Sequence, residues 1–127
     1  MLVVVGMLGS IAVVRVSAFR DRLSVRAAVA ETVSTFALAR RWSVTRASRT
    51  AVTIDTLDAT LTVRSFGDTV MRRNLGRAHG VTLAATRDSM AYAPNGLGYG
   101  ASNLSIMVRR GAITDTIVVS RLGRVRR

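Results

Sequence analysis

A chain of 127 residues has room for one domain with a modest core, and its 49% apolar content and mean hydropathy of +0.30 argue against disorder. It contains no cysteine, which excludes disulfides, thiolate metal sites and cysteine nucleophiles. The net charge is +12 and all 19 basic residues are arginine, so the surface attracts polyanions such as DNA, RNA or anionic lipid. GC-rich coding produces the same wealth of Arg, Ala, Val and Gly, so the placement of the arginines is more informative than their number.

The chain opens on an apolar run, Leu2 to Val14. At 1.5 Å per residue it is shorter than the ~20 residues that cross a bilayer. Its apolar positions Leu2, Val3, Val4, Val5, Met7, Leu8, Ile11, Val13 and Val14 read as a membrane helix whose beginning lies upstream of this sequence. No turn signal separates this run from an amphipathic pattern that continues to about Arg46. Phe19, Leu23, Ala27, Ala30, Val33 or Phe36, Ala37 and Val44 recur at three- and four-residue steps, which predicts a helical stripe facing a sheet. Such a helix would be about 65 Å long, too long for the core of a small domain.

After Arg49 the texture becomes β. Ala51–Asp55 and Thr60–Ser65 alternate apolar and polar residues and are rich in β-branched side chains. Gly67-Asp68 supplies a hairpin turn, Thr69–Arg72 a returning strand, and Val81–Thr86 and Met90–Ala93 two more. Pro94-Asn95-Gly96 is a turn, and Leu104–Arg109 with Ile113–Ser120 forms a hairpin around Arg110-Gly111. The expected fold class is α+β: residues 1–46 as a long helix, residues 47–127 as an antiparallel β-sheet body with a basic tail.

Few residues suggest catalysis. Gly96, Gly98 and Gly100 lack dinucleotide spacing and precede no helical pattern, so they read as a β-connection. His79, the single histidine, reads as a surface loop residue, and Glu31 as an ion-pair partner of Arg26 or Arg40. Asp55 and Asp58 read as turn hydrogen-bonders, Tyr92 and Tyr99 as strand packing. The expectation is a non-enzyme with no metal site and no cofactor. Arg15, Arg20, Arg22 and Arg26 follow the apolar run and suit either lipid headgroups or a solvated face.

The segment Leu2-Val3-Val4-Val5-Gly6-Met7-Leu8-Gly9-Ser10-Ile11-Ala12 resembles the hydrophobic helix of type IV pilins and type II secretion pseudopilins. Downstream, Ala39-Arg40-Arg41, the Pro94-Asn95-Gly96 turn and the ending Arg121-Leu122-Gly123-Arg124-Val125-Arg126 are similar to the GspH/FimT branch. The resemblance implies a pilin-like fold, with a basic leader and a Glu-bearing helix start preceding Met1. It implies a bacterial inner-membrane protein with a periplasmic body, drawn into a filament with other pilin subunits through the N-terminal helix. Secreted cargo or extracellular DNA are the further partners it implies. For DNA, the Gly-Arg-x-Arg ending assigns contacts to Arg121, Gly123, Arg124, Arg126 and Arg127. If Met1 is the true start, a basic peripheral membrane protein is the remaining alternative.

Overall fold

The computed structural model describes residues 2–99, 103–120 and 125–126, with only the backbone described for 2–14 and 99. Helix α1 runs from Leu2 to Thr45, 44 residues without a break, as the absence of Pro and of any turn signal leads one to expect. It ends in a Schellman-type closure: Ser48 N donates to Ser43 O (3.1 Å) and Ala47 N to Val44 O (3.3 Å), with Ala47 at a positive φ of 49°.

Two antiparallel sheets pack on the upper part of this helix. The first has five strands in the order β3-β2-β1-β5-β6, namely Asp68–Asn74, Thr60–Ser65, Thr50–Asp55, Ser89–Tyr92 and Gly98–Tyr99. The second has four in the order β4-β7-β8-β9, namely Thr82–Ala85, Leu104–Arg110, Ile113–Val119 and Val125–Arg126. A one-turn helix, α2 (Leu75–His79), links them; Asn74 caps its start and Gly80 its end. The seven expected strands are present. The division into two sheets, the short strands β6 and β9, and α2 were not legible as patterns, because each addition is too short to show a period.

The face that α1 buries is rotated from the expected stripe. Val25, Ala28, Val29, Thr32, Phe36, Ala39 and Ser43 are buried, Phe36 as the expected stripe had it, whereas the stripe's Phe19, Leu23 and Val44 are exposed. Small side chains dominate the buried face, and they let both sheets come close to the helix. Its hydroxyls satisfy themselves locally: Thr32 Oγ1 donates to Ala28 O and Ser43 Oγ to Arg40 O. The remaining core comes from inward positions of both sheets, with Val52, Leu61, Val63, Tyr92, Leu104, Ile106, Val108 and Ile117 fully buried.

Polar contacts fix the lower edge of the body to the helix. Arg110, at the end of β7, places Nε 3.0 Å from Asp21 Oδ1. Its Nη1 donates to Ser24 Oγ (2.7 Å) and to His79 O (2.7 Å). Gly111 belongs to the same clamp: a Cβ there would sit 2.5 Å from Asp21 Oδ2 and displace that carboxylate, and the φ of +59° at this turn also favours glycine. Glu31 pairs with His79 rather than with Arg26 or Arg40. The Nε2–Oε2 distance is 3.2 Å, a close approach without hydrogen-bond alignment. His79 is therefore not a loop residue facing solvent but the end of α2 held against α1.

One guanidinium thus ties together three elements distant in sequence. Arg110→Ala is expected to lower unfolding stability by about 1–2 kcal/mol, because it removes charge-assisted hydrogen bonds that solvent partly screens. Urea unfolding followed by circular dichroism measures this loss.

Candidate functional site

Among the described residues no group of three or more His, Cys, Asp or Glu side chains is placed to hold a metal ion. An open groove of about 570 Å³ lies between the last turns of α1 and strand β9. Val33, Ala37 and Val44 of the helix and Val125 of β9 make its apolar floor. Arg40, Arg41 and Arg126 stand around it, and among the described residues no acidic one lines it.

Local sequence explains each wall. Val33, Ala37 and Val44 lie at steps of four and seven; Val33 is half-buried against the edge of the core, and Ala37 and Val44 are exposed. Strand β9 closes the open edge of β8 through the pairs Val118↔Arg126 and Val119↔Val125. Alternation along β9 leaves Val125 half-buried and Arg126 exposed. Of the residues proposed for DNA contact, Arg126 thus stands on a paired strand beside Arg40 and Arg41; Arg121, Gly123, Arg124 and Arg127 lie outside the described residues.

The loop after β5 forms one end of the groove region. Ala93 N donates to Leu97 O (2.9 Å) and Gly96 N to Ala93 O (2.8 Å), so Pro94-Asn95-Gly96 is the turn its sequence announces. Gly96 has φ +80° and packs against Val44 and Arg40; a Cβ there would be 3.0 Å from Val44 Cγ2. Tyr92, fully buried, has a hydroxyl with no hydrogen-bond partner. Burial pushes its pKa up to about 12, and the nearby Arg40 guanidinium offsets only part of that rise.

A second cationic cluster lies on the other side of the helix end. The Arg46 guanidinium carbon is 4.7 Å from the centroid of the Trp42 ring, a cation–π contact. Phe66 projects nearby from the β2–β3 turn, 82% exposed. Positive φ values at Phe66 (55°) and Gly67 (80°) mark a type I′ turn, one residue earlier than Gly67-Asp68.

The remaining sequence expectations divide clearly. Asp55 serves its own turn, its Oδ1 accepting from Leu57 N (2.9 Å) and Asp58 N (3.2 Å). The backbone of Leu2, Val3, Val4, Val5, Met7, Leu8, Ile11, Val13 and Val14 is helical. Among the described residues, no helix contains a stretch long and apolar enough to cross a membrane. Sequence reasoning missed Arg40 and Arg41 as groove residues. The signal was there: two apolar stripes on one helix imply two buried faces, and a single sheet-facing stripe accounts for only one of them.

No protein-family model matches this sequence, and no curated protein matches it either. Solved structures do. The type IV minor pilin FimU of Pseudomonas aeruginosa superposes with a TM-score of 0.70 at 14% identity, covering 83% of this chain and 88% of that one. The minor pseudopilin EpsH from the type II secretion system of Vibrio cholerae gives 0.59 at 11% identity, covering 84% and 94%. The chain has the minor pilin and pseudopilin fold. At these identities the likeness establishes the long helix on its β body, and the groove has to be argued from this chain's own residues.

Tyr92 generates a test of the core beneath Arg40. A phenol whose folded pKa lies above its unfolded value of 10.0 contributes stability that is complete below pH 10 and is lost as pH rises toward 12. Tyr92→Phe is expected to be neutral or stabilising by about 1 kcal/mol at pH 7, since it removes an unpaired buried hydroxyl. It should also escape this share of the alkaline loss. Parallel urea titrations of both proteins between pH 8 and pH 12 measure the divergence.

Proposed function

We propose that this chain is a non-enzymatic subunit, of the minor pilin or pseudopilin kind, in a bacterial type IV pilus or type II secretion filament. The observation that carries this reading is a 44-residue helix only part of which is covered by the body. The N-terminal apolar run would sit in the inner membrane and then in the filament core, with the body on the periplasmic side. Residues 1–46 act as the assembly element and 47–127 as the presented body in this proposal. Val16, Phe19 and Leu23, all exposed, continue the apolar surface upward toward the body. Helix packing between neighbouring subunits would bury both stretches without any catalytic chemistry.

A second reading assigns DNA capture to the basic ending, Arg121, Gly123, Arg124, Arg126 and Arg127. Its support is the position of Arg126 beside Arg40 and Arg41, since guanidinium forks suit phosphate oxygens. The floor of the groove weakens it: Val33, Ala37, Val44 and Val125 offer nothing to a phosphate and no ring on which a base can stack. The filament reading therefore leads.

Two measurements separate the readings. A charge placed in the apolar run, Leu8→Arg, costs about 2.5–3.5 kcal/mol in a membrane helix. It is expected to lower recovery of the full chain in sheared filaments from its own host by about tenfold or more; unchanged recovery contradicts the filament reading. For DNA, Arg124→Ala/Arg126→Ala is expected to reduce the log–log salt slope of duplex binding by about two units if the ending grips phosphates. Identical slopes in the two proteins remove the DNA reading.

A further inference from the structure

Two large apolar side chains stand at hairpin tips with almost no cover: Leu57, 97% exposed, and Phe66, 82% exposed. Their charge settings differ. Phe66 lies among Arg46, Arg49 and Arg64, with Asp68 also beside it. Leu57 lies between Asp55 and Asp58, which make no ion pair among the described residues, although Arg64 and Arg72 line the concavity on their inner side. The chain has only seven acidic residues against 19 arginines, so an apolar side chain flanked by two carboxylates is a rare surface here.

The Leu57 tip is also rigid. Asp55 Oδ1 holds the amides of Leu57 and Asp58, and Ala59 O accepts from Leu75 N (2.8 Å) and Gly76 N (3.3 Å). Gly76 lets α2 press against the turn: a Cβ there would be 3.0 Å from Asp58 O and 3.2 Å from Ala59 Cβ. A preformed tip loses little conformational entropy when it docks.

The groove on α1 has the complementary pattern, an aliphatic floor with Arg40, Arg41 and Arg126 around it and no acid among the described residues. Tip and groove cannot meet within one molecule. The tip is buttressed by α2, which packs on the Glu31 side of α1. The groove opens at Val33, two residues or about 200° further around the helix.

We propose that the groove receives the Asp55–Asp58 turn of a second copy of this chain. Leu57 enters the apolar floor, and Asp55 and Asp58 face Arg40, Arg41 and Arg126. Because the two surfaces differ, the contact is heterologous, and repetition of it builds an open chain rather than a closed dimer. The inference rests on the filament reading and deepens it by naming a body-to-body contact in addition to helix packing. A lipid headgroup is a poorer occupant. Val33 is 19 residues beyond Val14, about 28 Å along the helix from the apolar run.

The absence of cysteine makes the test direct. Full chains carrying Thr56→Cys at the tip and Thr45→Cys beside the groove are mixed in detergent micelles and oxidised. Tip–groove cross-links are expected to exceed those of Thr56→Cys with Thr114→Cys, an exposed position on β8, by about tenfold. Leu57→Ser or Asp58→Arg in the tip chain should reduce them by about tenfold, since like charges facing each other oppose docking. Arg41→Asp in the groove chain should restore linkage to Asp58→Arg. Phe19→Cys, on the exposed side of α1, reports helix-to-helix assembly independently. If Phe19→Cys chains cross-link but the tip–groove pair does not exceed its control, the inference is overturned while the filament reading stands. If neither pair cross-links, both fail. If the groove cysteine links only to a different subunit in host membranes, the occupant is that subunit and a second copy is excluded.

Discussion

A helix that is apolar on two sides imposes the main constraint on this molecule. Burying one side against a body is ordinary hydrophobic folding, at roughly 25 cal/mol per Å² of apolar surface. The body does this with Val25, Val29 and Phe36, and it approaches closely because Ala28, Thr32, Ala39 and Ser43 are small. The other side stays exposed at Val16, Phe19 and Leu23, and at Val44, where only the Gly96 turn comes close. Exposed apolar surface of this extent marks an interaction face. The fold is complete as a monomer, but the helix is not.

Charge supports the same division. Most of the arginines stand on exposed positions, where repulsion among them discourages nonspecific collapse of subunits on one another. Arg110 and Arg73 are exceptions with structural work: Arg110 binds Asp21, Ser24 and the carbonyl of His79, and Arg73 donates to Glu31 O and Ser34 Oγ. Both reach α1 from strands far away in sequence. The body is therefore fixed to its helix by a packed core and by a few guanidinium groups at its edge.

The elements with long periods could be read directly from the residues. Forty-odd residues without a breaker gave the helix, β-branched alternation gave β1, β2, β7 and β8, and Pro94-Asn95-Gly96 gave its turn. What failed was the orientation of α1. With apolar residues on both sides, periodicity shows that faces exist but not which one meets the body; the small residues at 28, 32, 39 and 43 decide that, through close packing rather than hydrophobicity. Strand β9 was hidden for a different reason. Two residues carry no period, and Val125–Arg126 becomes a strand only because the edge of β8 is there to receive it. The groove followed from both omissions, since it exists only where the uncovered helix face meets β9.

Solvent access along α1 in the free and assembled chain tests the central claim most directly. Single cysteines at Phe19, Leu23 and Ala30 on the uncovered side, and at Thr82 on an exposed strand position as reference, would be labelled with a maleimide in detergent and in assembled filaments. The account predicts rapid labelling at all four in detergent, and loss of labelling at the three helix positions but not at Thr82 on assembly. Equal labelling of the helix positions in both states would contradict it, because the second apolar face would then have no partner to explain it.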